Sequence, residues 1–227
     1  MAYTTIDDPS VYFQTKIYTG NGSDGSAHTN DGNANLQPDF AWIKNRSSAA
    51  DHVLFDSSRG ATKNVRSNLA DAESTNSNFL QSFNTDGFTV GTSARVNTNG
   101  DNYVAWQWKC NGGTTASNSN GTISSTVQIN TTAGFSIVLY TGNETSGATV
   151  GHGFSSAPDV VIIKRREGSG YWIVNSNNLD SQGTTGGTPD APRNLYFNTT
   201  DQAQSDKICQ AIKDQKKGFD SHLFDYQ

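Results

Sequence analysis

Residues Pro38–Asp56 read PDFAWIKNRSSAADHVLFD, and residues Pro158–Ser176 read PDVVIIKRREGSGYWIVNS. Each opens on Pro-Asp, runs through an apolar stretch to Ile-Lys, crosses a polar turn and enters a second apolar run. This is a strand–turn–strand pattern, with β-branched and aromatic runs bounded by Gly, Ser, Asn and Asp. The two phrases lie 120 residues apart, and other landmarks recur in the same order. YTGN at Tyr18–Asn21 returns at Tyr140–Asn143. SNLADAEST from Ser67 aligns with RNLYFNTTD from Arg193, and TDGFTVG from Thr85 aligns faintly with KKGFDSH from Lys216. A period of this length is a whole small domain, not a solenoid unit. The expected fold is all-β: two tandem β-sandwich copies, jelly-roll-like, with little helix.

The expected division is an N-terminal arm (1–12), copy 1 (13–110), a Gly/Ser/Thr/Asn-rich linker (111–133) and copy 2 (134–227). The linker contains NGGTTASNSNGTISST, a composition suited to a flexible connection. In copy 1 the strand-like runs are QTKIYTG, DFAWIKN, HVLFDS, GFTVGT and YVAWQWKC; in copy 2 they are GFSIVLYTG, DVVIIKRR, YWIVNS and NLYFN. Within YVAWQWKC, alternation places Val104, Trp106 and Trp108 on one face and Tyr103, Ala105 and Gln107 on the other. The tryptophan face is expected to be core. One helix is predicted over residues 201–217, with Ile208, Ala211 and Ile212 on one face and Gly218 closing it.

Apolar residues make up 33% of the chain and charged residues 16%, with a formal net charge of −5. Turn-rich β structure fits this composition better than helix. The modest negative charge gives no reason to expect nucleic acid as a partner. No apolar run approaches the length of a membrane-crossing helix, so no membrane insertion is expected. The opening MAYTTIDDPS has neither a basic region nor an apolar run, so no secretory signal is expected and synthesis in a reducing cytoplasm fits. Cys110 and Cys209 lie in different halves of the chain and are expected as free thiols.

The residues give no catalytic constellation. A glycan-cleaving sandwich needs two facing carboxylates, and Glu73, Glu144 and Glu167 all sit in loop-like surroundings. There is no nucleophile elbow, no phosphate-binding glycine motif and no His pair at metal spacing among His28, His52, His152 and His222. No metal or cofactor is therefore expected. Asp24 and Asp31 in NGSDGSAHTNDGN lack the frame of a calcium loop. Tyr171 and Trp172, just past the EGSG turn, and His152, flanked by glycines in VGHGF, are the candidate ligand-binding residues, as a platform for sugar stacking. Lys164–Arg166 ends a strand and reads as edge protection.

The ordered set YFQTKIYTGN, PDFAWIKNR, DHVLFDSSRG, DGFTVG, YVAWQWK, GFSIVLYTGN, VGHGF and PDVVIIKRR resembles the tandem domain of virion proteins from marine tailed bacteriophages, cyanophage type. Such proteins are described as tail-fibre-like or lectin-like. The resemblance covers roughly residues 10–200. It implies a concanavalin-A-like form of the sandwich and a non-enzymatic particle-surface protein, made in the host cytoplasm and located on the virion. Its partners would be other virion proteins and a host-surface glycan. A homo-oligomer is expected, with a trimer the form that the resemblance favours. A lectin-like glycan-binding module is the alternative function and a glycan hydrolase the second. The second copy lacks a counterpart to DGFTVG and YVAWQWK, ending instead in KKGFDSHLFDYQ. Its sheet edge is therefore expected to be completed by another chain.

Overall fold

The computed structural model describes residues 6–176 and 195–198. Its described elements are strands joined by turns, with one 3-10 turn at Pro9–Val11 and one short helix, α1 (Ala94–Asn97). The chain divides into two compact units. Unit 1 comprises residues up to 66 and 73–156; unit 2 comprises residues 67–72 and 157 onward.

Unit 1 is built on a six-stranded antiparallel sheet. Its strands are β1 (Phe13–Thr19), β3 (Phe40–Asn45), β4 (Val53–Asp56), β5 (Lys63–Arg66), β6 (Ser74–Thr75) and β9 (Asn102–Trp108), in the order β1-β9-β3-β4-β5-β6. A second sheet, of β2 (Ser26–His28), β7 (Leu80–Phe83) and β8 (Phe88–Val90), runs in the order β2-β8-β7. The core lies between these sheets. Tyr18, Ala41, Ile43, Val53, Phe55, Tyr103 and Ala105 project from the first sheet and Leu80, Phe88 and Val90 from the second, joined by Phe79 and by Val96 of α1. The period-2 alternation of FAWIKN and NYVAWQW produces this face directly, since every second residue of each strand is fully buried.

The buried face of β9 is the reverse of the expected one. Tyr103, Ala105 and Gln107 are fully buried, whereas Trp106 and Trp108 are half-buried on the opposite face. The reason lies in polar satisfaction. The Tyr103 hydroxyl accepts from Thr98 N at 2.8 Å and donates to Ala94 O at 2.8 Å, and Gln107 Nε2 donates to Asn30 Oδ1 at 2.6 Å. These bonds carry the Tyr103 hydroxyl and the Gln107 amide nitrogen into the interior, although Gln107 Oε1 is buried there without a hydrogen-bond partner.

The stretch expected as a flexible linker is ordered in strands. β10 (Ala116–Asn118) and β11 (Ser125–Asn130) pair with each other, and β11 pairs with β12 (Phe135–Tyr140). Composition misleads here because the backbone and the Ser125, Val127 and Gln128 side chains, all buried, hold the segment. β12, expected to open the second copy, thus belongs to unit 1, and the boundary falls after residue 156 rather than at 134.

Unit 2 shows, among the described residues, a three-stranded antiparallel sheet: β13 (Val160–Lys164), β14 (Trp172–Ser176) and β15 (Leu195–Tyr196). Its hairpin repeats that of unit 1 residue for residue. Phe40 pairs with Asp56, Ala41 with Phe55, Trp42 with Leu54 and Ile43 with Val53. Val160 pairs with Ser176, Val161 with Asn175, Ile162 with Val174 and Ile163 with Ile173. Every one of these pairs is shifted by the same 120 residues. The third strand pairs equivalently but at an offset of 130: Val53 pairs with Arg66, and Ile173 with Tyr196. This sets Val65 and Arg66 against Leu195 and Tyr196 and corrects the sequence alignment that set RNLY against residues from Ser67. The duplication does not extend to the first strand: β1 pairs with β9, whereas β12 pairs with β11. Tyr18 is 7% exposed and Tyr140 44%. The predicted helix over 201–217, Cys209 and His222 lie outside the described residues.

Candidate functional site

The hairpin loop is closed in both units by the same lysine. Lys44 Nζ donates to the carbonyls of Asn45 and Ala50, each at 2.8 Å. Its counterpart Lys164 donates to Arg165 O at 2.9 Å and Gly170 O at 3.0 Å, and also to Ala70 O at 3.1 Å. An ammonium has three donors, and a loop that turns its carbonyls inward uses them. Lys164 is therefore a turn clamp, not the edge protection read from KRR. Burial draws its pKa below the ordinary lysine value.

The sequence candidates fall in different units. His152 belongs to unit 1 and Tyr171 and Trp172 to unit 2. His152 Nδ1 accepts from Phe154 N at 3.2 Å, and its carbonyl accepts from the Ser136 hydroxyl at 2.8 Å. Trp172 is 4% exposed, with its ring 6.2 Å from that of Phe197. Strand alternation turns Tyr171 the other way. It is 62% exposed and meets Tyr196 edge-on at 5.4 Å. Of the predicted platform Tyr171 is the exposed member, beside the half-buried Tyr196.

Other titratable residues are spent on internal structure. The ring of His28 lies 4.0 Å from that of Tyr18, and burial, then Lys16, lowers its pKa to about 4. His52 Nδ1 accepts from Trp42 Nε1 at 2.9 Å, and its pKa is lowered by burial. Asp31 pairs with Lys16 at 2.7 Å and Asp24 accepts from Gln81 at 2.7 Å, so the two do not converge on a cation. Glu73 meets Arg59 at 3.1 Å, and Arg59 in turn pairs with Asp56.

Sequence reasoning passed over two features. The first is Asp39, fully buried at the entry to β3. Its carboxylate accepts from Cys110 N at 2.6 Å, Gly112 N at 2.9 Å, Gly113 N at 2.8 Å and the Ser57 hydroxyl at 2.6 Å. Gly112 and Gly113 have φ of 61° and 79°, the left-handed conformation that aims successive N–H groups at one anion. Gln128 locks the same turn, accepting from Asn111 N and Gly113 N at 2.9 Å. The second feature is β13. Val160, Val161, Ile162 and Ile163 are 42%, 38%, 48% and 36% exposed, whereas Ala41 and Ile43 of β3 are fully buried. In unit 1 the far edge of β3 is covered by β9, Phe40 pairing with Trp108 through to Asn45 with Tyr103. Among the described residues β13 has a strand on one side only, β14. The repeated Pro-Asp was the available signal for both features. It marks Asp39 and Asp159 as equivalents, and Asp159 is exposed.

The family model that matches this chain is described as a domain of unknown function (DUF7483), and it spans residues 8–221, across both units. No curated protein and no solved structure matches the chain.

Proposed function

The chain belongs to the DUF7483 family, and from its structure and its sequence resemblance we propose that it is a non-enzymatic virion structural protein, a tail-fibre or other particle-surface component that attaches to the virion or the host. The observation that carries this reading is the run of four aliphatic residues in strand β13, exposed in unit 2 at the positions whose unit 1 counterparts lie inside a six-stranded sheet. Exposed apolar strands on a sheet edge are surfaces for association with other proteins. The sequence resemblance to tandem phage virion proteins supplies the setting. Its partners are other virion proteins, and a homo-oligomer, preferably a trimer, is the assembly form proposed. No helix among the described residues is long and apolar enough to cross a membrane.

Antibody labelling or cryo-EM of intact particles tests the proposal. Density or label at defined positions on tail or head is expected. Particles free of the protein, with all of it in the lysate, would sink the idea.

A lectin-like role is the second reading, favoured by the exposed Tyr171 beside Tyr196. Two tilted phenol rings offer an apolar face for a sugar ring. A glycan array that loses its signals with Tyr171→Ala would move the assignment to this class.

A further inference from the structure

The strand β9 and the turn after it act as one module on the β3–β4 hairpin of unit 1. The strand pairs antiparallel along β3, and the turn that follows delivers the N–H groups of Cys110, Gly112 and Gly113 to Asp39. Unit 2 reproduces the receiving half of this module in the same register: Asp159 stands where Asp39 does, and Val160–Ile163 stand where Phe40–Ile43 do. It shows neither half of the donor among the described residues. Asp159 is exposed, and the aliphatic residues are exposed on both faces of β13.

We propose that β13 with Asp159 is an acceptor site for a β-strand donated by another polypeptide. The donor has the chemistry of residues 102–113: an antiparallel strand with alternating apolar residues, followed by a tight Gly-Gly turn whose N–H groups bind the Asp159 carboxylate. Two complementarities select this occupant. The edge of β13 that carries no strand among the described residues takes main-chain hydrogen bonds from an extended segment. A carboxylate at the strand entry selects donors that end in a nest of N–H groups over those that end in an acidic or proline-rich turn. The site deepens the particle-assembly reading and rests on it for the source of the donor, another virion protein. The protein can sit on the particle without accepting a strand, so the two proposals fail separately.

The test uses the full chain and a synthetic peptide spanning residues 102–113. Amide hydrogen exchange is followed at those amides of residues 160–163 that point away from β14, since alternate N–H groups of a strand face alternate neighbours. Without peptide these amides should exchange fast. With saturating peptide they should slow about tenfold or more, as edge N–H groups enter a ladder. Asp159→Ala should weaken peptide binding about tenfold, the effect of losing a charged hydrogen-bond acceptor. A peptide carrying Gly112→Ala and Gly113→Ala should bind the unaltered protein correspondingly less tightly. The proposal is overturned if the amides of 160–163 that point away from β14 are already protected in the free protein. Protection independent of concentration would mean that the chain covers β13 itself, and protection that rises with concentration would mean that a second copy does. It is equally overturned if the peptide leaves those amides unprotected, or if Asp159→Ala leaves its affinity unchanged.

Discussion

A single buried carboxylate organises the junction at the start of β3. Asp39 lies at 0% exposure and is balanced by four donors, three of them main-chain N–H groups. Asp39→Ala should cost about 3 kcal/mol or more, because removing the acceptor strands those donors without water; denaturant unfolding measures it. Asp39→Asn, which keeps one acceptor oxygen, should cost less. His28 gives a pH dependence of known sign. Burial, with Lys16 second, holds its pKa near 4 in the fold, while an unfolded histidine titrates at about 6.5. Between those values the unfolded chain binds the extra proton. Stability should therefore be full above about pH 6.5, fall as the pH drops toward 4 and level off below. Melting temperatures against pH, compared with His28→Gln, check this; an unchanged slope in the variant would assign the effect elsewhere. Cys110 is free and buried, and burial, then Asp39, pushes its thiol up to about 12. Alkylation at neutral pH should be slow until the fold opens, since the thiolate is the reacting form.

The repeated element is the hairpin Pro-Asp-strand-Lys-turn-strand, and its lysine explains why the phrase occurs twice. Lys44 and Lys164 bond equivalent loop carbonyls in the two copies. Lys44→Met keeps the aliphatic stem and deletes the donors, so the loop carbonyls of Asn45 and Ala50 must find water. A loss of about 1–3 kcal/mol is expected in equilibrium unfolding, and Lys164→Met should speed amide exchange in β14. β9 carries a different lesson. Trp106 packs edge-on to Trp42 at 6.2 Å, half-buried on the outer face. Trp106→Ala should cost roughly 2 kcal/mol, less than the ~3–5 kcal/mol of a fully buried ring. A cost within the higher range would mean that the outer face is covered in solution.

At the scale of the molecule, unit 1 closes its own core between two sheets, while the described part of unit 2 carries a hairpin without the strand that flanks its counterpart. Ile43→Ala, a fully buried position, should destabilise unit 1 by about 2–4 kcal/mol, read as faster amide exchange across β3, β4 and β9. The all-β class, the hairpins and nine of the strands were legible in the sequence, because alternation and turn residues are local properties carried by the residues themselves. The 120-residue offset even carried the pairing register, since a one-residue slip would turn every apolar side chain to the wrong face. Three things were not legible. Alternation cannot say which face of β9 is the core; the bonds of Tyr103 with Asn45 and of Gln107 with Asn30, both distant in sequence, help to choose it. Composition made 111–133 a linker; pairing with β12 and the hold of Asp39 and Gln128 make it two strands and a fixed turn. Sequence neighbourhood joined Tyr171 to Trp172 as one platform; strand geometry buries one and exposes the other. Sequence determined the local periodicities and the duplication. Tertiary structure alone decided which face, which partner strand and which side chains remain exposed, because burial and hydrogen-bond satisfaction depend on residues that only folding brings together.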